Sequence, residues 1–225
     1  MTNRSMLAAI CAILATGCGS STKLSLSARA SGTAAAAAAT ALSAGPGVDV
    51  TRVRIVVDRL RFESSASSDA GAPSGDADEV IAGPYLIDLS GAALAGGLTQ
   101  VFDVEARAGT YRDLRFRVHK LDGSEAQFAG MTGLSIAVDG TVSGAAFAFT
   151  SALDEEQRRD ATFAVASDRS NNVTLRIDPA AWFAGDGGAL LDPRDAANRS
   201  RIEANIKSSI DAFDDDDRDG ERDLR

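Results

Sequence analysis

Val48 to Phe62 reads V-D-V-T-R-V-R-I-V-V-D-R-L-R-F. Val53, Ile55 and Val57 share one parity, and Leu60 and Phe62 share the other. In a strand, side chains of like parity line one face. A regular strand cannot turn both sets to one core. The switch near Asp58 therefore predicts a bulge, or a strand that crosses between sheets.

Shorter alternating runs surround this one. Leu24, Leu26, Ala28 and Ala30 face one way, with Ser25, Ser27 and Arg29 opposite. Tyr85, Ile87 and Leu89 alternate, followed by Phe102 and Val104. Tyr111 to Lys120 has the cleanest pattern, with Leu114, Phe116 and Val118 inward and Asp113, Arg115, Arg117 and His119 outward. Leu134, Ile136 and Val138 come next, then Phe147, Phe149 and Leu153, then Phe163 and Val165, then Val173, Leu175 and Ile177. The pairs Asp122-Gly123, Asp139-Gly140 and Asn171-Asn172 read as the turns between them. About nine short strands punctuated by turns predict a mainly β chain folded as an antiparallel sandwich. The alternation argues against a parallel sheet, whose strands are apolar on both faces.

Two stretches read as loops: Ser31 to Gly47, low in complexity with an alanine run able to form a helical turn or two, and Glu63 to Glu79, of Ser, Ala, Gly and Asp. Near the end the period changes. Asp192 suits an N-cap, Pro193 the first helical position and Asp195 a capping box. Ile202, Ile206, Ile210 and Phe213 then form one stripe at helical spacing. A helix over 193–213 is expected to lie on the sandwich or close one end, with Trp182 and Phe183 in the same corner.

The first residues, M-T-N-R-S-M-L-A-A-I-C-A-I-L-A-T-G-C-G-S, have a basic start and an apolar run from Met6 to Ala15. That is the layout of a secretory signal peptide, and the run is too short for a permanent span. Leu14-Ala15-Thr16-Gly17-Cys18 resembles a bacterial lipobox. The resemblance implies cleavage before Cys18, lipid on its sulfur and, with no Asp after the cysteine, the outer membrane of a diderm cell, facing periplasm or exterior. The plainer alternative is an ordinary signal peptide and a soluble secreted product. On the lipobox reading Cys11 leaves with the signal segment and Cys18 is acylated, so no disulfide forms and stability rests on a core. About 205 residues are enough for one domain.

The chain then divides into a signal segment (1–17), an anchor and tether (18–22), a sandwich (23–190, with loops at 31–47 and 63–80), an amphipathic helix (191–213) and an acidic tail (214–225). The formal charge is −9, and the last fifteen residues hold eight acids and three bases. A negative chain argues against a nucleic-acid partner and against binding anionic lipid by charge.

Asp215, Asp217, Asp219, Gly220 and Asp223 form D-x-D-x-D-G-x-x-D. Calcium takes six to eight oxygens, and alternate carboxylates in a tight loop supply several. The stretch resembles a calcium loop of thrombospondin type 3 repeats and the first half of an EF-hand loop. The resemblance implies ligands at Asp215, Asp217, Asp219 and Asp223, with the Glu221 carbonyl available. An EF-hand loop from Asp215 would need an acid one position past Arg225. A solvated acidic tail is the plainer alternative.

Other polar groups are weaker signals. His119, the one histidine, lies outside the core beside Arg117 and lacks a nucleophile or a ligand set. Arg115, Arg117, His119 and Lys120 form either a receptor for an acidic partner or the wet face of a strand. Asp154, Glu155 and Glu156 precede Arg158-Arg159-Asp160. Paired carboxylates serve glycosidases, but acids adjacent in a hairpin are more often solvated. No phosphate-cradling loop, G-x-S-x-G or H-E-x-x-H occurs.

The strand V-R-I-V-V-D-R-L-R-F, then Y-L-I-D-L-S-G, A-G-T-Y-R-D-L-R-F-R-V and N-I-K-S-S-I together resemble a family of bacterial lipoprotein domains of unassigned activity. The resemblance implies an immunoglobulin-like or transthyretin-like sandwich and no particular function. The expectation is a non-enzymatic envelope protein, membrane-bound through Cys18, with an envelope protein or polysaccharide as partner. A calcium-binding module and a carbohydrate- or peptide-processing enzyme are the alternatives.

Overall fold

The computed structural model describes residues 21–31, 41–64, 83–123 and 128–223. The signal segment and Cys18 lie outside the described residues, as does most of the loop after β3. Eleven strands occur among them: β1 (Ser21–Ala30), β2 (Leu42–Gly45), β3 (Val48–Ser64), β4 (Tyr85–Ser90), β5 (Thr99–Arg107), β6 (Gly109–Val118), β7 (Ile136–Val142), β8 (Ala145–Ser151), β9 (Glu155–Val165), β10 (Asn172–Ile177) and β11 (Ile210–Asp214). One α-helix, α1, spans Arg199–Ser208. The strands form a mainly β sandwich of two sheets. One has the order β11-β10-β1-β5, and the other β8-β7-β3-β6-β9 with β2 and β4 also on β3.

β3 is the hub of the larger sheet. One of its edges pairs with β7 and then β6, and the opposite edge with β2 and then β4. The parity switch is a bulge. The β3–β6 register shifts between Asp58 and Arg61, and Arg59 has φ of 51°. Val53, Ile55, Val57, Leu60 and Phe62 all reach one core as a result. Val56, on the other face, is buried in a small second cluster with Leu121, Met131 and Ala137. Residues 119–123 and 128–135 cover that face, and their backbone bonds Val56 at both its N–H and its carbonyl.

The main core lies between the sheets. Leu24, Leu26 and Ala28 of β1 and Val173, Leu175 and Ile177 of β10 meet Ile55, Phe62, Leu114, Phe116 and Phe163. Trp182 and Phe183 are fully buried as expected. Trp182 Nε1 donates to Ser209 Oγ at 2.7 Å, and Phe183 meets Phe147 edge-on at 5.4 Å between centroids.

Several expectations change. β1 and β10 pair in parallel, while every other pair of strands among the described residues is antiparallel. Alternation along each strand reported a sheet with one covered face, but not strand direction. Leu42–Gly45, read as loop, is a strand with Leu42 and Ala44 buried. The helix expected over 191–213 covers only Arg199–Ser208, with Ile202 and Ile206 buried. Asp192 and Asp195 cap separate turns, accepting from Arg194 N and Ala197 N. After Ser209 the chain becomes β11, antiparallel to β10, so Ile210 and Ala212 reach the core at period two. Ile210 and Phe213 fit the helical spacing, but three residues apart in β11 they fall on opposite faces, and only Ile210 joins the main core. Asp113, expected outward, is buried, and Arg158 grips it with two hydrogen bonds. Burial pushes the Asp113 carboxyl up, but the Arg158 guanidinium outweighs this and holds it below the usual carboxylate range.

Asp139-Gly140 is not a turn. It lies inside β7, and the turn follows at Ser143-Gly144, where both residues have positive φ as a type I′ hairpin requires. Gly140 is there for clearance, because a Cβ would stand 2.2 Å from the Asp49 carbonyl oxygen. Gly140→Ala should therefore destabilise the fold by about 1–3 kcal/mol, read by denaturant unfolding, since backbone has to move. An unchanged midpoint would refute this account of β7.

Candidate metal centre in the C-terminal loop

The outer face of the four-stranded sheet carries short polar side chains: Ser25 and Ser27 on β1, Asn172 and Thr174 on β10. All four are buried. Residues 215–223 cover them, so the expected tail is a folded loop. Asp215 N donates to the Asn172 carbonyl at 3.0 Å, and Asn172 Nδ2 donates to the Asp215 carbonyl at 3.0 Å. Asn172 N donates to Asp216 Oδ1 at 3.0 Å, and Ser27 Oγ donates to Asn172 Oδ1 at 2.8 Å. A buried polar row needs such partners, because each one left unmade costs about 1–3 kcal/mol.

Asp215 is wholly buried. Thr174 Oγ1 donates to its Oδ2 at 2.6 Å and Gly220 N to its Oδ1 at 3.1 Å. Gly220 has φ of 83° and its carbonyl accepts from Arg29 Nη1, an approach that leaves no room for a Cβ. Asp217 and Asp219 cap the next residues of the loop, accepting from Asp219 N at 3.1 Å and Glu221 N at 2.7 Å.

The acids converge as two groups. Asp215, Asp217 and Asp219 each bring a carboxylate oxygen within 4.8 Å of the others, and so do Asp214, Asp216 and Asp223. Either group is able to hold a metal ion. Of the residues singled out in the sequence, the first group unites Asp215, Asp217 and Asp219. Asp223 belongs to the second, where its Oδ2 accepts from Asp216 N at 2.8 Å and its own N–H bonds the Asp214 carbonyl. Glu221 is exposed and in neither group. Asp214 and Asp216 were missed because in sequence they looked like the filler of the D-x-D spacing.

Burial pushes the Asp215 carboxyl up, and the charges of Asp219 and Asp217 push it further, against the hydrogen bonds from Thr174 and Gly220. A folded-state pKa above the unfolded one stabilises the fold below the ordinary aspartate range, and this contribution is lost as pH rises through the raised value. At neutral pH ionised Asp215 is thus a net cost, which a cation bound there would offset.

Among the remaining candidates, the arginines and acids are ion-paired. Arg115 meets Glu63 at 2.9 Å and Arg117 meets Asp154 at 2.6 Å. His119 Nδ1 lies 3.6 Å from Asp154 Oδ1. Lys120 is exposed. Glu155 pairs with Lys207 at 2.8 Å on the rim of an open groove between β9 and α1, and Glu156 lies 3.9 Å from Arg115.

No family model matches the chain, and no curated protein matches it. Among solved structures, MbnP from Methylosinus trichosporium aligns with a TM-score of 0.44 and 9% identity, over 87% of this chain and 99% of that one. A likeness at that level assigns neither family nor activity.

Carboxyl-carbon NMR should place the Asp215 midpoint above the ordinary aspartate value in metal-free protein. Calcium at about 10 mM, above the affinity of extracellular modules, should lower it, because a cation competes with the proton. A midpoint indifferent to calcium would leave the loop held by its own hydrogen bonds alone.

Proposed function

We propose that the protein is a lipid-anchored β-sandwich of the cell envelope that binds or scaffolds an envelope protein or polysaccharide and catalyses no reaction. The observation that carries this reading is the short sequence distance between the lipobox cysteine and the folded domain. Ser21, three residues after Cys18, already opposes Arg107 in the β1–β5 ladder. Such a tether holds a domain at the membrane surface, and two or more acyl chains make that attachment stable. Radiolabelled palmitate should appear on the wild-type chain and not on Cys18→Ala. No label on wild type, or equal label on both, overturns the anchor.

The second reading is a calcium-binding module ordered through the C-terminal loop, favoured by the convergence of Asp215, Asp217 and Asp219. Its ion would be held by these carboxylates, with oxygens from the loop backbone or water completing the shell. Calorimetry should give a dissociation constant on the order of 0.1–1 mM, and replacing both Asp217 and Asp219 by Ala should abolish the heat. Wild type without heat at millimolar calcium rules this reading out.

A further inference from the structure

Beside the acidic loop, at the end of the four-stranded sheet where β1 begins, is a pocket of about 450 Å³. That lies within the size range of small-ligand sites, roughly 300–1,000 Å³. Its wall includes Thr22, Lys23, Ser25, Asp168, Arg169 and Arg218. Three cations and Asp168 line it, with Asp103 and Asp216 standing against two of the cations, in a chain whose formal charge is −9.

These cations are held in place from behind. Lys23 Nζ lies 2.7 Å from Asp103, with 63% of the side chain still exposed. Arg169 lies 3.3 Å from Asp216 and is 41% exposed. A lysine has three donors and an arginine five, so one ion pair leaves others free to reach a ligand. Arg218 stands between Asp217 and Asp219 in sequence, yet its backbone is left-handed, with φ of 59°. Its guanidinium points away from their carboxylates and donates to Ser25 Oγ at 2.8 Å. Ser25 Oγ in turn donates to Asp103, on which the Arg218 charge also acts.

We infer that this pocket binds a phosphate group, supplied by the headgroup of a membrane lipid. Guanidinium and ammonium donors around a concave polar site match the acceptor oxygens of a phosphate. Placement supplies the lipid, and this part rests on the anchoring reading above. Lys23 follows Cys18 by five residues, at most about 18 Å of extended chain. A cysteine acylated in the bilayer thus keeps the pocket at headgroup depth, where the tether raises the effective headgroup concentration. The net charge of the chain opposes an anionic surface at a distance. Salt screens the distant acids beyond a Debye length of about 8 Å, and inside the pocket the donors that Asp103 and Asp216 leave unused on Lys23 and Arg169, together with Arg218, face the ligand.

The test uses the full chain carrying Cys18→Ala, so that binding does not depend on acylation. It is sedimented with vesicles of phosphatidylglycerol or of the phosphate-free lipid digalactosyldiacylglycerol, and separately titrated with inorganic phosphate. Binding is expected to the phosphatidylglycerol vesicles only. Adding Lys23→Ala and Arg218→Ala should weaken it on the order of 25-fold, about fivefold for each cation near an anionic surface. The charge-matched pair Arg52→Ala and Arg194→Ala, away from the pocket, should weaken it less than about threefold by long-range charge alone, and thermal unfolding checks that each variant folds. Equal binding to both vesicles, or equal loss in the two pairs, overturns the proposal. Binding to inorganic phosphate without binding to vesicles overturns the lipid source. If palmitate labelling fails on wild type while phosphatidylglycerol binding survives, the anchor falls and the pocket stands.

Discussion

β3 changes the face it buries between Asp58 and Leu60, and Arg59 makes the change in the left-handed region. Had the strand kept its register, Leu60 and Phe62 would face water, because a one-residue slip moves a whole set of side chains to the opposite face. Phe62 instead lies edge-on to Phe163 at 5.6 Å and to Tyr111 at 6.4 Å, joining the end of β3 to β6 and β9. Just before the bend, β3 exchanges β7 for β6 along one edge while β4 still pairs with the other. The inner face of the larger sheet shares one core with β1 and β10.

Parity reports local geometry, which is why this bend was legible in sequence while strand direction was not. The faces of β1 were read correctly, Leu24 and Leu26 inward and Ser25 and Ser27 outward. Its neighbour β10 lies well over a hundred residues later, and nothing in either strand encodes the parallel pairing. Ile210 and Phe213 continued the helical stripe of Ile202 and Ile206 only by spacing, since in β11 the two lie on opposite faces. Ser208 and Ser209 are weak helix formers, and Ser209 Oγ accepts from Trp182 while donating to the Ile206 carbonyl, which closes the helix there. Gly140 resembled a turn because glycine also serves where backbones crowd.

The candidate metal site was legible as a composition and not as a partition. D-x-D spacing announced that Asp215, Asp217 and Asp219 can converge. That Asp223 leaves them depends on two hydrogen bonds to Asp214 and Asp216, which no spacing rule contains. The burial of Asp215 depends on Asn172 and Thr174, more than forty residues earlier. A hint was present there in retrospect: the outward face of β10 offers Asn and Thr, which suit a covered polar surface, where a wet face more often carries Lys or Glu.

The acidic loop and the basic pocket are two sides of one segment. From Asp215 to Asp219 alternate residues diverge: the odd-numbered carboxylates gather on one side, while Asp216 and Arg218 reach Arg169 and Ser25 on the other. Between Asp217 and Asp219 the chain passes through the left-handed region at Arg218. A backbone that brings three carboxylates within 4.8 Å thus also sets a guanidinium into the pocket wall. Ligands that each favour this one conformation assist one another, because coupling between sites is reciprocal. A cation among the carboxylates would relieve the repulsion around buried Asp215, and an anion held by Arg218 would favour the same course of the loop.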